Sequence, residues 1–209
     1  MILPTLRHVS SSLLNIAFNY VILTSKRLKI DESHALKHSM DVFNYANNIF
    51  ESSVDKYPYL NDQRNIISVS SILHDMCDNK YTTDEEEELS NINQLLSPHL
   101  NERERNTVNN IISTMSYSKV KKNGYPELNE FQTAYHIVRE ADLLAGYDIN
   151  RCIIYGINKE GLSYTEAVKR AFDIYDTRMS SYITYDLFVS EYSVKKAYEL
   201  NEIAKEDIC

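Results

Sequence analysis

Residues 62–81 read DQRNIISVSSILHDMCDNKY. Ile66, Val69, Leu73 and Met76 recur at spacings of three and four, the period of a helix with one buried face. The spacing predicts a helix over about 62–77, followed by the polar, turn-like stretch Asp78-Asn-Lys-Tyr-Thr-Thr-Asp84. His74 and Asp75 stand near the end of that helix. Adjacent residues inside a helix point about 100° apart and rarely serve one site. At a helix end the chain is turning and the constraint relaxes. An imidazole and a carboxylate together suit a first-row divalent metal. A His-Asp pair is common by chance, so its weight depends on what the rest of the chain places beside it.

The same period continues on both sides. Leu13, Leu14, Ala17, Phe18, Val21 and Ile22 predict a helix over 10–27. Asp31 and Ser33 offer N-cap chemistry for a second helix reaching about Phe50, with Val42, Phe43, Ala46 and Ile49 on its apolar face. Pro58 and Asn61-Asp62 mark a loop. Glu85 to Glu88 suit the first, solvated turn of a further helix through its macrodipole. Another opens at Asn101 and reaches about Tyr117. Residues 119–126 read as a loop, with Gly124-Tyr-Pro126 as a turn. Helices follow at about 129–146, 148–157, 164–178 and 183–206. Only 4 Gly and 4 Pro occur in 209 residues, too few for the tight turns of a sheet protein. The expectation is an all-α, single-domain chain spanning 1–209.

Charge and cysteines narrow the partners. The net charge of −8 argues against binding a nucleic-acid duplex, which asks for a basic face. Small anionic substrates remain compatible, because a metal and a few cations override the global field locally. Cys77, Cys152 and Cys209 are widely spaced and form no CxxC, which fits a reducing, cytoplasmic setting. The N-terminus lacks the features of a secretion signal. The apolar run 16–23 is too short to span a bilayer and is interrupted by Asn19, so no membrane is expected. His8, His99 and His136 have no motif around them and are read as structural or surface residues.

Two more elements carry chemistry. His34 and His38 are four apart, which on a helix puts them on one face. Asp142 lies in the apolar helical stretch Ala134, Ile137, Val138, Ala141, Leu143, Leu144. A carboxylate on or beside a buried stripe is costly unless a cation is close. Arg139, three residues earlier, is one candidate cation and a bound metal is the other.

Three local texts now stand in order: Ser33-His-Ala-Leu-Lys-His38 followed by Val42, His74-Asp-Met-Cys-Asp-Asn-Lys80-Tyr81, and Glu140-Ala-Asp142-Leu-Leu near Gly146. This pattern resembles the HD superfamily of metal-dependent phosphohydrolases, in a small single-domain branch, over about residues 31–150. The resemblance implies an HD-type helical bundle; residues 151–209 fall outside it and are read as additional C-terminal helices that pad the core or form a homo-oligomer interface. It also implies His38, His74, Asp75 and Asp142 as ligands of one divalent metal ion, whether Mn, Mg, Co, Ni, Fe or Zn. His34 and Lys80 would face the phosphate of a small phosphorylated substrate such as a nucleotide. Asp75 or Asp78 would serve as the catalytic carboxylate that takes a proton from water. The metal would lower the pKa of that water and offset charge on the phosphoryl group.

The chain departs from the branch at two points. Thr114-Met115-Ser-Tyr-Ser118 lacks a His that the branch carries before its Ser-aromatic-Ser element, and Ala145 stands where the branch has a second Asp. Neither departure removes a ligand. They motivate an alternative in which the site binds or senses nucleotides without turnover. A two-iron oxygenase of the same fold would need further His ligands where Met115 stands. A plain helical interaction protein would make all three motifs coincidence.

Overall fold

The computed structural model describes residues 9–208, and every regular element among them is helical. The chain is an all-α bundle. Its elements are α1 (Ser11–Leu28), α2 (Leu36–Ser53), α3 (Leu60–Leu73), α4 (Glu85–Leu96), α5 (Glu102–Thr114), α6 (Tyr117–Asn123), α7 (Gln132–Ala145) behind a 3₁₀ turn at Asn129–Phe131, α8 (Ile149–Asn158), α9 (Tyr164–Ile174) running into a π turn at Tyr175–Met179, α10 (Ser181–Thr184) and α11 (Glu191–Ile208). Among the described residues no helix is long and apolar enough to cross a membrane.

The helix singled out first, α3, is the centre of the bundle. Ten of its fourteen residues are buried, so it has no true solvent face, and α1, α2, α5 and α7 pack around it. Ile66, Val69, Ile72 and Leu73 supply apolar area, while Ser68, Ser70 and Ser71 are small enough to let neighbours approach. The Ser71 hydroxyl satisfies itself on the Ser68 carbonyl at 2.8 Å. Helices α2 and α7 lie against α3 and against each other. That triangle brings the first turns of α2, the C-terminal end of α3 and the last turn of α7 together.

Several boundaries depart from the periodicity. α3 stops at Leu73, so His74 is its C-cap and Asp75 lies in the turn beyond. α2 starts at Leu36 with no side-chain cap; Asp31 instead accepts the Ser33 N–H at 3.0 Å inside the preceding turn. His34 is therefore in that turn and not on the helix face it was expected to share with His38. Residues 119–123, expected in a loop, belong to α6, which ends at Gly124, whose φ of 76° suits a residue without a Cβ. The last long helix begins at Glu191, not 183, because the segment before it is pinned to α7. The acidic run opening α4 is not wholly solvated. Glu88 is 2% exposed, accepts two hydrogen bonds from Arg27 at 2.7 and 2.6 Å and one from Tyr20 at 3.2 Å, and so ties α4 to α1.

The C-terminal helices do more than pad the core. α8 and α9 pack closely over Gly156, where an added Cβ would meet the Ala167 Cβ at 3.1 Å. α11 leans on α7 and α2. Together, α8, α9 and the π turn wall one side of a cavity that opens onto His34, Asp75 and Asp142.

Candidate functional site

Four side chains from three places in the chain converge at the end of the α2–α3–α7 triangle. His38 comes from the first turns of α2, His74 and Asp75 from the end of α3, and Asp142 from α7. The His38 Nε2 lies 3.1 Å from the His74 Nε2, 3.4 Å from Asp75 Oδ2 and 3.3 Å from Asp142 Oδ1. The His74 Nε2 lies 3.2 Å from Asp75 Oδ2 and 3.7 Å from Asp142 Oδ1. Both imidazoles are almost fully buried.

This arrangement is poor as a self-contained hydrogen-bond network. The His74 Nδ1 donates to the Ser71 carbonyl at 2.9 Å, so a neutral His74 offers only a lone pair at Nε2. That lone pair faces a second imidazole nitrogen. The Asp75 Oδ2, though close to both rings, is buried without any hydrogen-bond partner. Such an orphan normally needs an explanation in a missing water or ion. A divalent cation supplies one. Metal–ligand bonds to His nitrogen and carboxylate oxygen are about 2.0–2.2 Å, which puts neighbouring donors roughly 3.0–3.6 Å apart. Four of the observed separations, 3.1 to 3.4 Å, match that spacing, and His74–Asp142 at 3.7 Å lies just beyond it. His38, His74 and Asp142 also form a group whose donor atoms all lie within 4.8 Å of one another. Two imidazoles with carboxylate oxygens are a donor set for first-row divalent ions, and the backbone bond of His74 is the outer-shell contact that fixes a ligating tautomer.

The electrostatics point the same way. Burial opposes ionisation of Asp75 and Asp142, but the imidazoles beside them hold both carboxyls well below the ordinary range. Burial alone would depress His74, yet the Asp75 charge prevails and lifts it to about 9. An imidazolium there answers the same two carboxylates that a metal would. Burial, with the Arg151 charge, pushes His38 down to about 4, which leaves its ring neutral.

The other expected residues line the adjoining cavity of about 270 Å³. His34 Nδ1 is held by Ser33 Oγ at 2.6 Å and by Tyr81 Oη at 3.0 Å, and burial lowers its pKa to about 3, so its ring is neutral. Asp78 and Lys80 face the cavity as a pair, with Lys80 Nζ 3.1 Å from Asp78 Oδ2. Arg139 is not the cation near Asp142. Its guanidinium donates to the Leu187 carbonyl and lies 3.7 Å from Glu140.

That cation is Arg151 on α8, which sequence reading missed. Its guanidinium lies 3.8 Å from Asp75 and 4.0 Å from Asp142, while its Nε donates to the Ser33 carbonyl beside His34. Arg170, Arg178, Tyr155 and Tyr182 join it in the wall. None belongs to a motif, and only the packing of α8, α9, the π turn and α10 brings them to the site. The spacing of Arg151 nine residues after Asp142, across a helix break, was the faint signal available.

No family model and no curated protein sequence matches the chain. Among solved structures it is similar to a crystal structure of a Lactobacillus plantarum protein determined by structural genomics. The likeness has a TM-score of 0.69 and 14% identity, and covers 96% of this chain and 95% of that one. At that identity it shows a shared fold over nearly the whole length of both chains, C-terminal helices included.

Proposed function

We propose that this protein is a metal-dependent phosphohydrolase of the HD type, acting on a nucleotide or another small phosphate ester. The observation that carries the reading is the convergence of the His38 and His74 Nε2 atoms on oxygens of Asp75 and Asp142 at 3.1 to 3.7 Å, next to a cation-lined cavity. His38, His74, Asp75 and Asp142 would hold one divalent ion. Bound there, such an ion supplies an acidified water and charge neutralisation for a phosphoryl group. Arg151 and Lys80 bind phosphate oxygens, the first as a planar fork and the second as a point charge. His34, kept neutral by burial, offers a hydrogen bond without adding charge. Asp78, paired with Lys80 at the cavity wall, would accept a proton there.

The test is phosphate release from a panel of nucleotides and simple phosphate esters by metal-stripped protein. Mn²⁺, Co²⁺, Ni²⁺, Mg²⁺, Fe²⁺ or Zn²⁺ is added back singly, with His74→Ala as control. Turnover that needs metal and disappears in the control supports the reading. No release with any metal, alongside retained metal binding, shifts the reading to a site that senses nucleotides without turnover. Met115 and Ala145, buried and apolar where the resembling branch carries His and Asp, favour that second reading.

A further inference from the structure

The cavity beside the candidate metal centre has a charge balance that selects among phosphate esters. This deepens the phosphohydrolase reading and rests on it. Asp75 and Asp142 together are matched by one divalent ion. Asp78 is matched by Lys80 at 3.1 Å, and Arg170 by Glu160, whose Oε1 accepts from it at 2.6 Å. Arg151 and Arg178 are left over. Among the described residues Arg178 has no carboxylate partner. It stacks over Tyr117, 4.4 Å from the ring centroid, and donates from Nε to the Tyr182 hydroxyl at 2.7 Å. Arg151 is anchored through Nε on Ser33, so its two terminal nitrogens face the cavity, and their nearest anionic atoms are at 3.8 and 4.0 Å. With the metal in place, two positive charges remain unmatched in a chain whose net charge is −8.

A phosphomonoester is a dianion for most of the range above its second pKa of about 6, whereas a diester carries one charge. We propose that the site is selective for small phosphomonoesters, with Arg151 clamping the peripheral phosphate oxygens and Arg178 adding the second charge. The dimensions agree. At about 270 Å³ the cavity lies near the lower end for ligand pockets. Tyr155 beside His34, with ring centroids 5.4 Å apart, gives the organic part an aromatic wall. Forked hydrogen bonding also matters here: Lys at position 151 would keep the charge but lose the paired donors.

The experiment uses two esters with one leaving group, 4-nitrophenyl phosphate and bis(4-nitrophenyl) phosphate, on the full-length metal-loaded protein. The monoester is expected to show a kcat/KM at least about tenfold higher. Arg151→Gln should raise the monoester KM about tenfold or more, leave metal content unchanged and shrink the preference, and Arg151→Lys should restore only part of it. Arg178→Gln should reduce the preference severalfold, with an unchanged unfolding midpoint checked alongside because Arg178 also donates to Tyr182. Calorimetric binding of inorganic phosphate to the metal-loaded protein should weaken in parallel in both Gln variants. Equal or faster turnover of the diester overturns the proposal while leaving hydrolysis intact. So does a preference untouched by both Arg variants. Arg151-dependent phosphate binding with turnover of neither ester keeps the monoester site and overturns the hydrolase reading instead.

Discussion

Two carboxylates stand two residues apart on α7, and the chain treats them in opposite ways. Glu140 is 1% exposed and fully engaged. It accepts the Val189 N–H at 2.7 Å and the Ser190 N–H at 3.2 Å, with the Arg139 guanidinium 3.7 Å away. It pins the segment that leads into α11. Asp142 points to the other side of α7, where its neighbours are imidazole nitrogens, Asp75 with an orphaned oxygen, and Arg151 at 4.0 Å. A buried carboxylate used for stability is satisfied by the protein's own donors. A carboxylate kept for a ligand is surrounded by groups that no internal hydrogen bond completes.

The sharpest way to break this contrast is to remove each carboxylate in turn. Asp142→Ala is expected to abolish metal retention and metal-dependent activity while leaving the helical dichroism unchanged. Full activity in that variant, with bound metal by elemental analysis, would remove Asp142 from the centre. Glu140→Ala leaves two backbone donors without their acceptor and a buried guanidinium without its counter-charge, an expected loss of about 3–5 kcal/mol in unfolding free energy. Chemical denaturation of the metal-free proteins decides the comparison, because Glu140→Ala should lose more stability than Asp142→Ala. The reverse order would mean that both carboxylates are structural.

A smaller effect is expected at the cavity rim. Lys80 is paired with Asp78 and half exposed, so Lys80→Ala should raise KM severalfold with metal still bound. An unchanged KM and kcat would place Lys80 outside the site. The smallest effect concerns His136, on the Glu140 side of α7. Burial, aided by the Arg139 charge, lowers its pKa to about 4, and its Nδ1 has no hydrogen-bond partner. The folded state therefore refuses a proton that the unfolded chain accepts below about pH 6.5. Its neutral form is compatible with full stability above that value, and stability falls as pH drops from about 6.5 towards 4. His136→Gln should flatten that part of the stability–pH curve. A slope identical to the parent's would show that His136 titrates normally.

What was readable without the structure follows from the range of each interaction. A buried stripe on a helix is written at spacings of three and four, so α1, α3, α5 and α7 were expected close to where they lie. His38, His74, Asp75 and Asp142 stood out through local motifs and a resemblance, and the fold brings His38, His74 and Asp142 within 4.8 Å of one another and an oxygen of Asp75 within 3.4 Å of both imidazoles. The error over His34 came from assuming that a cap residue starts a helix. Asp31 and Ser33 formed a turn instead, and His34 reaches the cavity from outside α2. The error over Arg139 came from reading one helix alone. Residues three apart share a helix flank, but the Arg139 guanidinium turns to the Leu187 carbonyl and Glu140 instead of Asp142.

The sequence by itself determined the all-α architecture, a helix with His74-Asp75 near its end, and the types of donor available to a metal. These depend on periodicity, composition and neighbours within one or two turns. Only the tertiary structure decided that α8 and α9 pack beside the His-Asp cluster and that Arg151 and Arg178 line the cavity there. Only it showed that one carboxylate of α7 serves α11 while the other faces the imidazoles. The reason is physical: which side of α7 meets which neighbour is set by how helices far apart in the chain pack on α3, and no local pattern encodes that contact.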